Sequence, residues 1–405
     1  MQFFRNFKNI GPGSLVTAAF IGPGTITTCS LAGANFGMAL LWGLLFSIIA
    51  TLILQEMTAR LGIITQQGLG DAIRNLIQNP VLKILSVVLI ISAITIGNAA
   101  YETGNLIGAA MGIDTVLPEE HIKAISLIIG LAAFVLLWLG SYRILEKVLI
   151  GLVILMSLVF LTTAIVIAPH FQSIIKGIFI PSFPGGSALM LIGLIGTTIV
   201  PYNLFLHTSV VKERWKTKED LPKARFDLFI SIILGGIISM SIVITSAMAF
   251  YATNHEIKGA SDMAIQLEPI LGSWAKYILA SGLFAAGISS SITAPLAAAY
   301  ATSGILGWKS TMKDWRFKLV WMIILGIGIL FSSLDYKPIE AIWFAQITNG
   351  ILLPVIATFL VLVMNNKKLL GDKINKPLAN VAGIFVIIIT LALGLRSILS
   401  VTGII

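Results

Sequence analysis

Two short stretches of this 405-residue chain place a proline beside small polar residues inside long apolar runs: Gly22-Pro23-Gly24-Thr25 and Thr197-Thr198-Ile199-Val200-Pro201-Tyr202-Asn203. Proline lacks an amide hydrogen and clashes with the preceding helical turn. The glycines beside Pro23 let the backbone leave the helix. Each stretch therefore predicts a helix broken near its middle. Within a bilayer such a break is tolerated only against protein or a water-filled cavity. The groups it frees are candidate ligands: hydroxyls of Thr25, Thr197, Thr198 and Tyr202, the amide of Asn203, and the backbone of Gly22, Pro23, Gly24 and Val200. Half-helix N-termini at Thr25 and Asn203 would offer free amides and positive dipole ends, which suit an anionic group. Two ordinary proline kinks are the plain alternative; matched positions and adjoining polar residues favour a site.

Such breaks need long apolar helices around them, and the composition supplies these. The chain is 57% hydrophobic and 11% charged, with a mean hydropathy of +0.96; average soluble domains carry about 25% charged residues. A soluble enzyme, a disordered protein and a nucleic-acid-binding domain are excluded, and a polytopic membrane protein remains. Apolar runs at 12–36, 39–61, 81–104, 122–141, 145–168, 186–210, 228–252, 273–303, 319–334, 338–364 and 378–402 predict eleven spans. With tilt, these cross about 30 Å of hydrocarbon. The first reads as a retained helix and not a signal peptide, because no small-residue cleavage site precedes it. Alternate loops, beginning with the N-terminus, hold 21 of the 27 Lys and Arg residues. That bias puts the N-terminus in the cytoplasm and the C-terminus outside, and it explains the net charge of +9 as loops beside anionic lipid. One cysteine, Cys29, excludes an internal disulfide framework. Short loops without an Asn-x-Ser/Thr sequon fit a bacterial inner membrane.

Five spans separate the starts of the two halves. Five is odd, so the second half is predicted to be inverted relative to the first, the arrangement that marks a transport site at the midplane. Span three adds Asn98, Tyr101 and Glu102, span eight Ser290 and Ser291, and span ten Gln346. Intramembrane Glu56 and Glu102 are functional candidates by default, but Glu56 lies within reach of Arg60 and reads as a structural ion pair. His207 can carry a proton near neutral pH or serve as a hydrogen-bonded packing residue; both stay open. Gly104, Gly108 and Gly112 repeat at the spacing of helix packing, around the end of span three. No nucleophile constellation and no Gly-x-x-x-x-Gly-Lys-Ser/Thr loop occurs, so neither an enzyme nor an ATP-driven pump is expected.

Several longer motifs resemble the NRAMP family of proton-coupled divalent-metal transporters over nearly the whole chain. They are Leu54-Gln55-Glu56-Met57-Thr58-Ala59-Arg60-Leu61-Gly62, Ile180-Pro181-Ser182-Phe183-Pro184, Pro201-Tyr202-Asn203-Leu204-Phe205-Leu206-His207-Thr208 and Gly287-Ile288-Ser289-Ser290-Ser291-Ile292-Thr293. The resemblance implies an all-α, eleven-helix membrane protein with a LeuT-type inverted repeat of spans 1–5 and 6–10 plus one extra helix. The repeats would cover 1–168 and 169–364, and 365–405 would hold a cytoplasmic linker and helix 11. It also implies that Gln346 lines the substrate cavity and that His207 matches a histidine linked to proton movement. The departures fall at the metal site. The family's Asp-Pro-Gly-Asn stands here as Gly22-Pro23-Gly24-Thr25, and its Ala-x-x-Met-Pro-His as Thr197-Thr198-Ile199-Val200-Pro201-Tyr202. Its Asp-x-x-Glu of span three corresponds to Asn98 and Tyr101; Glu102 is adjacent but turned by about 100° on a helix.

Carboxylate and thioether are thus both missing, and transition metals want such ligands or imidazole. A bare dication facing no formal charge in a low dielectric is poorly compensated, so no metal site is expected. A small inorganic anion such as bicarbonate fits neutral hydroxyl and amide donors. Sodium is the expected coupling ion, with Ser290 and Ser291 as nominees by analogy with the sodium site between spans one and eight of LeuT-type transporters. Asn98, Tyr101, Glu102 and His207 complete the coupling set. The expected partners are the lipid bilayer and a small inorganic ion, with no nucleic acid and a monomer as the working unit. Two alternatives stay open: a divalent-cation transporter for magnesium or manganese, using retained water, and a membrane sensor that does not transport.

Overall fold

The computed structural model describes residues 21–117, 121–140, 143–167, 171–251, 253, 255–308 and 311–402. Among them the regular structure is helical and no strand occurs. The principal helices are α1 (Pro23–Phe36), α2 (Leu41–Thr65), α3 (Leu69–Leu76), α4 (Pro80–Asp114), α5 (Ile122–Leu139), α6 (Arg143–Ile167), α7 (Phe171–Phe179) and α8 (Ser187–Thr198). They continue with α9 (Pro201–Arg214), α10 (Leu221–Phe250), α11 (Ala260–Ile265), α12 (Ala275–Leu306), α13 (Trp315–Ser332), α14 (Pro338–Met364) and α15 (Pro377–Val401). Counting α8 and α9 as one interrupted span, ten are long and apolar enough to cross a membrane. They match the second to eleventh predicted spans. The first predicted span, 12–36, lies outside the described residues up to 20, and α1 is its second half.

Local signals set the helix starts. Pro23, Pro80, Pro201, Pro338 and Pro377 each open a helix, where the missing amide hydrogen costs nothing. Asn79 caps α4 by accepting from the amides of Val81 and Leu82 at 3.0 and 3.2 Å. Two predicted limits are corrected. Span three was expected to end at 104 but runs to Asp114, and span seven was expected from 228 but begins at Leu221. Gly104, Gly108 and Gly112, expected to be helix-packing positions, are contact positions inside α4. A methyl group on Gly108 would overlap Pro23 of α1, and one on Gly112 would meet the Ala280 carbonyl and the Phe284 amide of α12.

The longest central contact joins α4 to α12, the third and eighth spans, with α1, α8, α9 and α14 gathered around it. Two polar ties hold the periphery. Near the loop end of α2, Glu56 binds Arg60 at 2.9 Å and Arg225 of α10 at 2.6 Å, while Arg60 donates to the Lys373 carbonyl and Asn375. The structural ion pair expected for Glu56 is present. At the opposite face, Trp42 donates to the Ser182 carbonyl at 3.0 Å and packs edge-on against Phe183, and Ser182 donates to the Ala39 carbonyl at 2.9 Å. This latch fastens the segment entering α8 to the turn between α1 and α2.

Gly108→Val should lower thermal stability in detergent by about 1–3 kcal/mol, the usual cost of overpacking, because its side chain must displace Pro23. An unchanged melting temperature would show that α1 and α4 are not packed this tightly.

Candidate functional site

The sixth-span break forms, and the start of α1 at Gly22-Pro23 faces it. Gly22 is the extended N-cap of α1. In the sixth span the helix ends at Thr198, Ile199 and Val200 run non-helically, and α9 starts at Pro201. The hydroxyls of Thr25 and Thr197 lie 2.7 Å apart, both buried. This bond joins two residues 172 positions apart and brings the two motifs into one site.

The structure sorts the other candidates. Tyr202 is buried and packs edge-on against Tyr101, with ring centroids 5.4 Å apart. A methyl group on Gly22 would lie 3.2 Å from Ser290 Oγ and 3.4 Å from Tyr101 Oη. Span three and span eight therefore meet the break where Gly22 replaces an acid in the family pattern. Val200 belongs to an apolar cluster with Ile21, Tyr101, Tyr202 and Ile292. Gln346 lies against Gly24, where a methyl group would overlap its side-chain amide. Asn203 is buried, and neither its carboxamide oxygen nor its nitrogen has a partner among the described residues.

Several expectations need correction. The Thr25 and Asn203 amides are not free: they bond to the Gly22 and Val200 carbonyls at 3.1 and 3.0 Å, closing the first turns. In the sixth-span break the amides left without a backbone acceptor among the described residues are those of Val200 and Tyr202. Thr198 turns away and donates to the Leu194 carbonyl of its own helix at 2.9 Å. The space beside Gly24, expected to admit a ligand, is filled by Gln346. Asn98 donates to the Ile94 carbonyl at 2.8 Å, and its oxygen has no partner among the described residues. His207 is buried on α9 with Nδ1 3.0 Å from Thr58 Oγ1 of α2 and Nε2 unpartnered. It stands more than one turn beyond Tyr202.

The residues that sequence reasoning missed are Thr27, Thr28 and Asn349. Each is buried and keeps a side-chain polar atom without a partner among the described residues. Buried polar atoms are normally paired, and exceptions call for an explanation. Asn349 was findable, being one turn beyond Gln346 and on the same helical face. Thr27 and Thr28 follow Thr25 directly and were passed over as ordinary helix residues. Chemically, the break offers hydroxyls and carboxamides and no formal charge. Among the described residues no three His, Cys, Asp or Glu side chains converge as a metal-binding group. A cavity of about 940 Å³ lies elsewhere, among lipid-facing parts of α4, α13, α14 and α15, and none of the break residues lines it.

Over residues 13–400 the chain matches the family described as natural resistance-associated macrophage protein-like. A relative from Klebsiella pneumoniae (strain 342), named divalent metal cation transporter MntH, is 29% identical over 95% of this chain and 92% of its own length. A second from Klebsiella pneumoniae subsp. pneumoniae carries the same name and is 30% identical over 90% and 87%. Among solved structures, the Eremococcus coleocola manganese transporter superposes with a TM-score of 0.78 at 23% identity, covering 98% of this chain and 87% of that one. Mhp1, a nucleobase-cation-symport-1 family transporter, gives 0.59 at 13% identity, covering 97% and 93%. These likenesses show that the fold is LeuT-like.

Replacing Thr25 and Thr197 by valine, singly and together, should give a coupling energy of about 1 kcal/mol in thermal unfolding. Strictly additive effects would mean that the 2.7 Å contact carries no stability.

Proposed function

Because the chain belongs to the NRAMP family, we propose that it is a secondary transporter of a small inorganic ion, and that its altered centre selects an oxyanion such as bicarbonate. The observation that carries this choice is the chemistry of the joined breaks. Thr25, Thr197, Tyr202 and Asn203 present hydroxyls and a carboxamide, while Gly22 and Val200 supply neither carboxylate nor thioether. Hydroxyl and amide donors can satisfy an anion without formal charge, and the half-helix N-terminus at Pro201 adds its dipole. A co-transported sodium ion would balance the charge. The basic loops support an orientation with the N-terminus in the cytoplasm of a bacterial cell.

A second reading has a specific observation behind it. The relatives are named as divalent metal cation transporters, and the Eremococcus protein as a manganese transporter. On kinship alone, a divalent cation is the better supported substrate class. With no charged ligand at the break, such an ion would have to keep much of its water, and magnesium does so most readily.

One experiment separates the two. Purified protein in proteoliposomes is given labelled bicarbonate with an inward sodium gradient or a choline control, and in parallel manganese and magnesium. Sodium-dependent bicarbonate accumulation above protein-free vesicles, unaffected by either metal, is the expected result. Saturable magnesium or manganese uptake with no bicarbonate accumulation would overturn the anion reading in favour of the cation. Thr197→Val should lower uptake of the true substrate by about tenfold, as expected when one hydrogen bond to a charged ligand is lost.

A further inference from the structure

At one end of the bundle α5 finishes where α13 begins, and tryptophans and cations gather there. Lys318 Nζ of α13 stands 4.2 Å from the ring centroid of Trp138, in the last turn of α5. The Arg316 guanidinium stands 5.7 Å from that of Trp308, just past the end of α12. Trp138 and Trp315 are 53% and 66% exposed, and Leu139 and Leu319 beside them are exposed too. Deeper in the bundle, Phe317 and Trp321 are fully buried and anchor α13. Phe317 packs edge-on against Tyr300 of α12, and Trp321 against Phe134 of α5. Arg74 of α3, the helix after α2, donates to the Gly304 carbonyl of α12 at 3.1 Å. This is therefore the bundle end that carries the Glu56 tie.

Among the described residues, none of Lys313, Arg316 and Lys318 has a carboxylate within ion-pair distance. Residues 307–318 carry four basic side chains against one acid, Asp314, and that acid caps α13 by accepting from the Arg316 amide at 2.8 Å. The indole faces hold Arg316 and Lys318 in place through their ring quadrupoles without cancelling their charge. A phosphate oxygen can still accept from both. Exposed tryptophans also mark the boundary between lipid and water. We propose that the end of α5 and the start of α13 hold the headgroup of one anionic phospholipid, with its phosphate on Arg316 and Lys318 and its chains along Leu139 and Leu319. A zwitterionic headgroup would bring a cation of its own to a place already rich in positive charge. A soluble anion would leave the indoles and leucines facing water, which a lipid covers. The bound lipid would brace α5, α12 and α13 against one another. The inference rests on the chain being a membrane protein and on neither choice of substrate.

The test titrates dioleoyl phosphatidylglycerol into the purified full chain in detergent, beside dioleoyl phosphatidylcholine with the same acyl chains, and counts bound lipid by native mass spectrometry. Wild type should hold one phosphatidylglycerol about tenfold more tightly than phosphatidylcholine. Arg316→Gln and Lys318→Gln should each weaken that binding by about fivefold, and together by about thirtyfold, the usual share of a basic residue beside anionic lipid. Arg316→Lys should keep most of it. Lys216→Gln combined with Lys218→Gln removes the same charge from another exposed loop and should leave binding unchanged. Melting curves check that each variant is folded; if the Arg316 and Lys318 double variant does not fold, the single variants decide. Equal binding of the two lipids by wild type, wild-type binding in the folded Arg316 and Lys318 variants, or an equal loss in the Lys216 and Lys218 variant overturns the site. Displacement of the lipid by inorganic phosphate would overturn it as well, by making it a site for soluble anions.

Discussion

A chain cannot leave its helix in the middle of a bilayer unless the peptide groups it exposes are taken up by protein, ligand or water. This protein does so in its sixth span, against the start of α1, and much of its architecture follows from that. The broken sixth span is 94% buried in its apolar window, far more than a helix facing lipid on one side. Around it α4 and α12 form a central pair, α14 covers Gly24 with Gln346, and the Thr25–Thr197 bond closes the two breaks on each other. The ties at Glu56 and at Trp42 lie at opposite ends of the bundle. They fix the breaks in place without entering them.

The departure from the family pattern at Gly22 and Val200 is one half of a matched arrangement. Gly22 omits a side chain, and Ser290 with Tyr101 takes the space. Val200 omits a sulfur and packs with Tyr101, Tyr202 and Ile292 instead. A centre emptied of charge would otherwise leave a void lined by polar backbone, and interiors do not tolerate voids cheaply. The carboxylate has not vanished from the neighbourhood. It stands at Glu102, one residue from Tyr101, on a different helical face. The chemistry of the centre has been redistributed: neutral donors at the break, and a buried carboxyl group between α4, α12 and α13.

The spans and the two breaks were legible because apolar length and proline leave strong marks in sequence. The motifs around Pro201 and Gly287 carried the family resemblance, which the match over residues 13–400 bears out. Other features were set by contacts that sequence does not display. The end of α4 was placed ten residues early, while the glycine repeat read as helix packing is borne out by Gly108 against Pro23, 85 positions away. The amides of Thr25 and Asn203, expected to stay free, are bonded, because the first turn of each half-helix closes on its own N-cap carbonyl. Thr198 was read as a ligand from its position beside Thr197, but its neighbour one turn back, Leu194, offered a nearer acceptor. The unpartnered atoms of Thr27, Thr28 and Asn349 emerge only in three dimensions.

The uneven burial of the spans bears on how the protein meets different membranes. The apolar windows of α4, α5 and α15 are only 22%, 28% and 28% buried, against 94% for the sixth span. Hydrophobic mismatch acts on surface that touches acyl chains, at a modest cost for each ångström of thickness. A thinner or thicker bilayer therefore tilts the outer helices first, while α8 and α9, held within the bundle, are sheltered from that force. The protein is built like a bearing in a flexible housing, with its broken span shielded from direct contact with acyl chains.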